Sequence, residues 1–408
     1  MQPQIKVYAY RWIILASVAP IIAATQILWL ALAPIAGTAS EYYHTGSFGI
    51  SIFSTSYMLM YILFTLPASW VVDRFGYRRS AVIGALITAV FAALRAMSGS
   101  NFTLALLCQF CIAAGQPFIL NVVTKVPAVW FPLSERSLAT GVLTLAQYVG
   151  LILPMVLSPI LAPEPNAVRT MLAVYAIVAA VCAVAVIAFA RGKPPLPPDS
   201  QPAREEFNIK ALRGLFGNRN YLYVLLLTFI SLGVFNTLLT EIESILVPRG
   251  LTSDQAGLAG AAFVLAGIVG AVALPLISDK TRRRIVFVVA GMSLMAVFYL
   301  VLSLVNGFAP IMIIIALAGF TIMGLAPIVF QHGAEIAYPV PEGTSFGLIL
   351  LAGQVSGALF VPAFEALSSG GSVLLPMLVI VALTAVQVPV ALLMKESGAL
   401  LKARGEVK

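Results

Sequence analysis

The sequence predicts an all-α membrane protein, with twelve transmembrane helices in two pseudo-symmetric six-helix bundles. Three observations predict it. Of the 408 residues, 60% are hydrophobic and 10% charged, whereas soluble domains run near about 45–50% and about 25%. The apolar residues fall in runs long enough to cross a bilayer. Two charged turns, "SWVVDRFGYRRS" at 69–80 and "LPLISDKTRRRIV" at 274–286, recur at nearly the same place in each half.

A helix needs roughly 20 apolar residues to cross about 30 Å of hydrocarbon. That length rule places spans, in order, at 12–37, 48–71, 80–98, 103–128, 136–161, 168–190, 220–246, 254–277, 285–305, 309–334, 344–366 and 372–394. Barrel strands are shorter and alternate, so these are helices. The first follows "MQPQIKVYAYRW" without a small-residue cleavage pattern and reads as a retained span, not a signal peptide. Lys and Arg set the direction. With both termini cytoplasmic, only Arg95, Arg169 and Arg249 of the 24 basic residues face outward. The expected location is the plasma (inner) membrane, with the bilayer as the main partner and the chain a monomer.

Between spans 6 and 7 lies "RGKPPLPPDSQPAREEFNIKALRGLFGNRN". Its Pro-rich first half cannot continue a helix, and "REEFNIKALRGLF" reads as a short interfacial amphipathic helix. The expected division is an N-terminal bundle at 1–191, a cytoplasmic linker at 192–219 and a C-terminal bundle at 220–408. The net charge of +8 forms no stripe or tail, which argues against a nucleic-acid partner. Cys108, Cys111 and Cys182 lie inside apolar runs and read as small packing residues. His44 and His332 have no metal-ligand spacing. No GxSxG, HExxH or P-loop occurs, so no catalytic residue, cofactor or metal is expected and the chain is not read as an enzyme.

The two charged turns belong to a longer echo. Asp73 and Asp279 are 206 residues apart, and "FPLSERSLATGVLTLAQYVG" (131–150) repeats as "YPVPEGTSFGLILLAGQVSG" (338–357) at an offset of 207. Pro132 then meets Pro339, Glu135 meets Glu342, Gln147 meets Gln354 and Gly150 meets Gly357. A fixed offset of this kind is an internal duplication. Asp73-Arg74-Phe75-Gly76-Tyr77-Arg78-Arg79 resembles the loop 2–3 motif of the major facilitator superfamily, with Ser69 in place of its leading glycine. The second copy, from Asp279, lacks the inner glycine. The resemblance implies the major facilitator fold and a cytoplasmic gate of charges that is remade as the halves rock. Its candidates are Asp73, Arg74, Arg78, Arg79, Asp279, Arg283 and Glu335. Charge-assisted bonds of this kind can be exchanged between states, although simple positive-inside anchoring would leave the same pattern.

Finer motifs narrow the likeness. "AAGQPFILNVVTKVPAVWFPLSE" and "GFTIMGLAPIVFQHGAEIAYPVPEGTSFGLILLAGQVSG" resemble the feline leukaemia virus subgroup C receptor-related branch. That resemblance implies choline or ethanolamine transport, or haem export, with no ion gradient needed for choline. It also implies that Gln116 and Gln354 meet the substrate beside an aromatic ring on span 1. Here the chain departs from the branch: alignment through Gln26 puts Ile27 at that ring's place, and Trp29 stands two residues on, about 200° around a helix.

From the residues alone, Gln26, Gln116, Gln147, Asn236 and Gln354 fall near the midpoints of spans 1, 4, 5, 7 and 11. Polar side chains at that depth face a cavity or bond across helices. No Lys, Arg, Asp or Glu shares the layer, while Trp29, Tyr57, Tyr61 and Tyr148 offer aromatic faces. The substrate-binding candidates are therefore Gln26, Trp29, Tyr57, Tyr61, Gln116, Gln147, Asn236 and Gln354, suiting a small neutral, zwitterionic or cationic solute. Glu241 is the candidate for proton coupling, against the plainer reading of a solvated vestibule acid. Lys125 is expected to snorkel, and Arg95 to snorkel outward or pair locally. Glycines in "GLAGAAFVLAGIVGAVALP" read as close helix packing.

The reading is a secondary transporter of a small organic solute working by alternating access, with a choline- or ethanolamine-like amine leading. A proton-coupled symporter or antiporter of another metabolite or drug is the alternative. A non-transporting receptor or sensor stands further off, because it has no need for midplane amides and gate charges together.

Overall fold

The computed structural model describes residues 6–196, 198, 215–337, 340, 342–368 and 372–397. Most of the segment expected to form an amphipathic helix lies outside the described residues. Every regular element described is helical, and twelve helices are long and apolar enough to cross a membrane. They are α1 (Arg11–Tyr43), α2 (Ser47–Phe75), α3 (Tyr77–Met97), α4 (Phe102–Trp130), α5 (Leu133–Leu161), α6 (Val168–Phe189), α7 (Arg219–Thr240), α8 (Ser253–Thr281), α9 (Arg284–Leu304), α10 (Phe308–Ala337), α11 (Glu342–Ser368) and α12 (Leu374–Leu393).

Local chemistry sets several of these boundaries. Asn101 caps α4 by accepting the Leu104 N–H at 3.0 Å, and Thr252 and Gln255 form a reciprocal capping box on α8. Asn218 accepts the N–H groups of Asn220 and Tyr221 at the start of α7. Prolines inside the helices remove backbone donors, yet packed neighbours make them tolerable within a membrane.

Two elements differ from expectation. The first span does not stop near residue 37: Pro34 tightens Ala33–Ile35 into a 3₁₀ turn, and helix resumes over Ala36–Tyr43 until His44 takes a left-handed conformation (φ 53°). The seventh does not run on to residue 246. It ends as Glu241 leaves the helical region (φ −102°, ψ 22°), and the short helix Ile242–Leu246 follows. Pro248 and left-handed Gly250 (φ 87°) then turn the chain into α8.

The helices separate into two units, Met1–Arg204 and Glu205–Lys408. In the first, α1 packs on α5 and α6, α2 on α4, and α3 on α4 and α6. In the second, α7 packs on α11 and α12, α8 on α10, and α9 on α10 and α12. The neighbour scheme is the same after a shift of six helices, as a duplicated bundle requires. Lengths agree too: α2 and α8 have 29 residues each, and α3 and α9 have 21.

Each unit has a core of interlocking apolar side chains, among them Ile14, Ile21, Phe53 and Ile112 in the first, and Val224, Leu227, Val288 and Ile328 in the second. Leu63, Val184, Leu276 and Leu304 point outward, a surface suited to lipid. Close seams rest on glycine. A Cβ built on Gly84 of α3 would lie 2.7 Å from the Gly115 carbonyl of α4. Between α8 and α10, a Cβ on Gly324 would lie 2.8 Å from the Gly270 carbonyl, and one on Gly319 would collide with the Phe263 backbone.

Candidate functional site

In the first unit the proposed substrate residues are partly gathered. The Trp29 ring of α1 stacks on Tyr57 of α2, with centroids 6.4 Å apart and planes at 29°. Its indole N–H donates to the Ser54 carbonyl at 3.2 Å, fixing the ring against α2. Gln26, one turn earlier, is buried where α1 meets α5: a Cβ on Gly150 would sit 2.7 Å from the Gln26 Cβ. Tyr61 is buried with its hydroxyl beside Thr65. Gln116 is buried on α4 and Gln147 half-buried on α5. No hydrogen bond among the described residues joins either amide to the Trp29–Tyr57 stack. Ile27 is buried as well.

In the second unit Asn236 is buried on α7 and Gln354 half-buried on α11. The two helices press together close to both, because a Cβ on Gly353 would meet the Leu232 Cβ at 3.0 Å and one on Gly233 the Phe360 ring at 2.6 Å.

Glu241 differs from the solvated vestibule acid of the plainer reading. It is only 2% exposed and makes a hydrogen-bonding contact with Glu365 of α11. Glu365 accepts the Ser244 hydroxyl at 3.2 Å, and Glu243 takes the hydroxyl of Ser253. The backbone break comes at Glu241 itself, which leaves the helical region after Thr240.

The charged turns form two distinct arrangements. In the first unit Asp73 pairs with Lys125 at 2.7 Å, with both side chains partly exposed. Arg74, Arg78 and Arg79 are exposed, and the Arg79 guanidinium lies 5.6 Å from the Phe75 ring centroid. Ser69, in place of the motif's glycine, receives the Asn121 side-chain amide at 3.0 Å. Nearby, Arg11 closes on Glu135 at 3.0 Å. In the second unit the cation that grips Glu335 is Arg284, while Arg283 is exposed. Arg284 Nη2 and Nε reach the two carboxylate oxygens at 2.7 and 3.2 Å, with Asp279 at 3.4 Å. Glu335 also accepts the Ser397 hydroxyl at 2.7 Å. The offset of 206 residues that relates Asp73 to Asp279 relates Arg78 to Arg284, and this register was the signal that could have found it.

Of the two expectations for Arg95, local pairing is the one seen: it is 1% exposed and donates to the Gln109 side-chain carbonyl.

The Major Facilitator Superfamily profile matches residues 15–361. Among curated proteins, the chain is 27% identical to solute carrier family 49 member A3 of Xenopus tropicalis, covering 90% of this chain and 79% of that protein. It is 27% identical to the choline/ethanolamine transporter FLVCR1 of Felis catus, over 88% of this chain and 68% of that protein. Its identity to the human choline/ethanolamine transporter FLVCR2 is 26%, over 87% and 72%. Among solved structures, a bacterial homologue of the human lysosomal transporter Spinster, inward-facing and unoccupied, superposes with a TM-score of 0.79 at 15% identity, over 95% of this chain and 97% of that one. Twelve spans, a six-helix neighbour scheme used twice and a profile match over most of the length converge: this chain belongs to the Major Facilitator Superfamily and is a membrane transporter, not an enzyme.

Proposed function

We propose that the chain moves a small organic amine of the choline or ethanolamine class by alternating access, as a facilitator, with both termini cytoplasmic in a plasma (inner) membrane. The observation that carries this reading is the Trp29–Tyr57 stack, with buried, uncharged Gln26 one turn earlier on the same helix. An ammonium group is attracted to aromatic faces, by about 0.5–2 kcal/mol per ring, and amide carbonyls accept whatever N–H or O–H the ligand brings. Similarity to proteins named as choline/ethanolamine transporters points the same way. Gln26, Gln116 and Gln147 are the amide candidates of the first unit, and Asn236 and Gln354 those of the second. Asp73 with Lys125, and Arg284 with Asp279 and Glu335, would act as the cytoplasmic gate, and Arg74, Arg78, Arg79 and Arg283 would meet the lipid headgroups beside it. The test is uptake of labelled choline and ethanolamine into sealed proteoliposomes. Saturable uptake that ignores a proton gradient and collapses in both Gln116→Ala and Gln354→Ala supports the reading; no uptake of either amine by folded protein removes it.

A second reading rests on one observation, the contact of buried Glu241 with Glu365. Two carboxyls placed together can share a proton, and releasing it as the transporter changes state would couple proton and solute movement. Uptake that rises with an imposed proton gradient and loses that response in Glu241→Gln would favour this reading over facilitation.

A further inference from the structure

Arg95 sits near the C-terminal end of α3, buried among three other helices of the same unit. Only one of its nitrogens is occupied. Nη1 donates to Gln109 Oε1 of α4, whereas Nε and Nη2 are buried without a partner. Gln109 is held in place by the rest of its amide, which donates to the Phe53 carbonyl of α2 at 3.0 Å and to the Leu28 carbonyl of α1 at 3.4 Å. Its oxygen therefore faces Arg95, but a neutral amide cannot balance the charge. Among the described residues no carboxylate pairs with Arg95.

The other groups around the guanidinium are Tyr43 of α1, Tyr57 of α2 and Cys108 of α4. Both tyrosine hydroxyls are buried without a hydrogen bond of good geometry, although that of Tyr57 lies beside the Thr25 hydroxyl. An isolated cation in an apolar interior is costly unless it is paired, and unsatisfied buried donors add to the cost. Here two guanidinium nitrogens and two phenolic hydroxyls are left without partners among the described residues. A ligand that accepts from all of them and carries one negative charge removes both deficits. Water could bridge some of them, but it would leave the charge uncompensated and bring two donors of its own.

We propose that Arg95, with Tyr43 and Tyr57, forms a site for a small monovalent anion of the halide class. The anion acts as an internal counter-ion that joins α1, α2, α3 and α4, beside the aromatic cluster of Tyr43, Phe53 and Phe102. Tyr57 is shared with the stack proposed to meet the solute, so the test below reads the anion in the absence of any amine.

The experiment uses the full-length protein purified in detergent. Thermal unfolding is followed while sodium chloride replaces sodium gluconate at constant ionic strength, so that screening stays fixed. Wild-type protein should melt several degrees higher as chloride rises, with saturation, because a ligand of the native state shifts unfolding by mass action. Tyr57→Phe and Tyr43→Phe should each raise the chloride concentration needed for half the effect by several-fold, and Arg95→Gln should abolish the response. The two phenylalanine variants carry the test if Arg95→Gln does not fold. A bromide-soaked crystal should place an anomalous peak beside the guanidinium. Wild-type melting that is identical in chloride and gluconate overturns the proposal, and so does a chloride response that survives unchanged in both phenylalanine variants.

Discussion

Lys125 and Glu335 carry opposite charges in the fourth helix of their units, each eight residues after a proline inside that helix, Pro117 in α4 and Pro327 in α10. Each forms an ion pair beside the turn after the second helix of its unit. The partners are not repeat equivalents: the offset of 206 relates Asp73 to Asp279 and Arg78 to Arg284, so the two units close this corner with different residues.

Burial makes the two pairs unequal. Asp73 and Lys125 have side chains 58% and 40% exposed, against 16% and 9% for Glu335 and Arg284. An exposed pair contributes up to about 1 kcal/mol, whereas removing one partner of a buried pair costs about 3–5 kcal/mol. Glu335→Gln should therefore lower the melting temperature in detergent well beyond Asp73→Asn. Arg284→Lys should fall between them, since it keeps the charge and loses the two-pronged contact.

The turns themselves differ in backbone strain. Gly76 adopts φ 85° after α2, and Arg282, its partner at an offset of 206, adopts φ 54° after α8. A Cβ on Gly76 meets nothing within 4 Å, but its φ of 85° with ψ of 156° is open essentially to glycine alone, so Gly76→Ala should cost about 1–3 kcal/mol through conformation alone. Arg282, at ψ 31°, is in the milder left-handed helical region; Arg282→Gly relieves that strain but frees the unfolded chain, so its gain should stay below about 1 kcal/mol. Denaturation midpoints of the two variants should move in opposite directions.

The seam of α8 and α10 predicts a steric contrast. Gly319→Val must push the Phe263 backbone aside and should cost about 1–3 kcal/mol or more, seen as reduced yield and a lower melting temperature. Gly141→Ala meets nothing within 4 Å and should leave both unchanged.

On the proposed amine reading, Trp29→Ala should raise the half-saturating choline concentration in proteoliposome uptake by about 5–30-fold, the equivalent of about 1–2 kcal/mol of cation–π attraction. Trp29→Tyr should recover most of it. Equal uptake by all three proteins would mean that the ring serves α1–α2 packing only.

What could be seen in the sequence followed from scale. Span number and the duplicated bundle rest on dozens of residues each, so hydropathy and one offset were enough. The fate of single side chains rests on a few ångströms. Nothing local distinguishes Arg284 from Arg283 in "TRRRI"; helix phase decides which one reaches Glu335. The Lys125–Asp73 pair was not foreseen because the two residues are far apart in sequence. Glu241 looked solvated because its run of apolar neighbours suggested continuous helix, and the break at its own φ and ψ turns it inward. The Pro34 turn did carry a signal, a proline before a new helical stretch, that the length rule overrode.

The glycine contacts between α8 and α10 have a mechanical consequence. Where backbone lies on backbone, no rotamers are available to absorb displacement, and close-packed interiors resist compression. The two helices should then move as one stiff beam. Whatever bending the second unit undergoes must be taken up at its looser joints, and the interrupted turn at Glu241, held by side-chain bonds that can be exchanged, is built as such a joint.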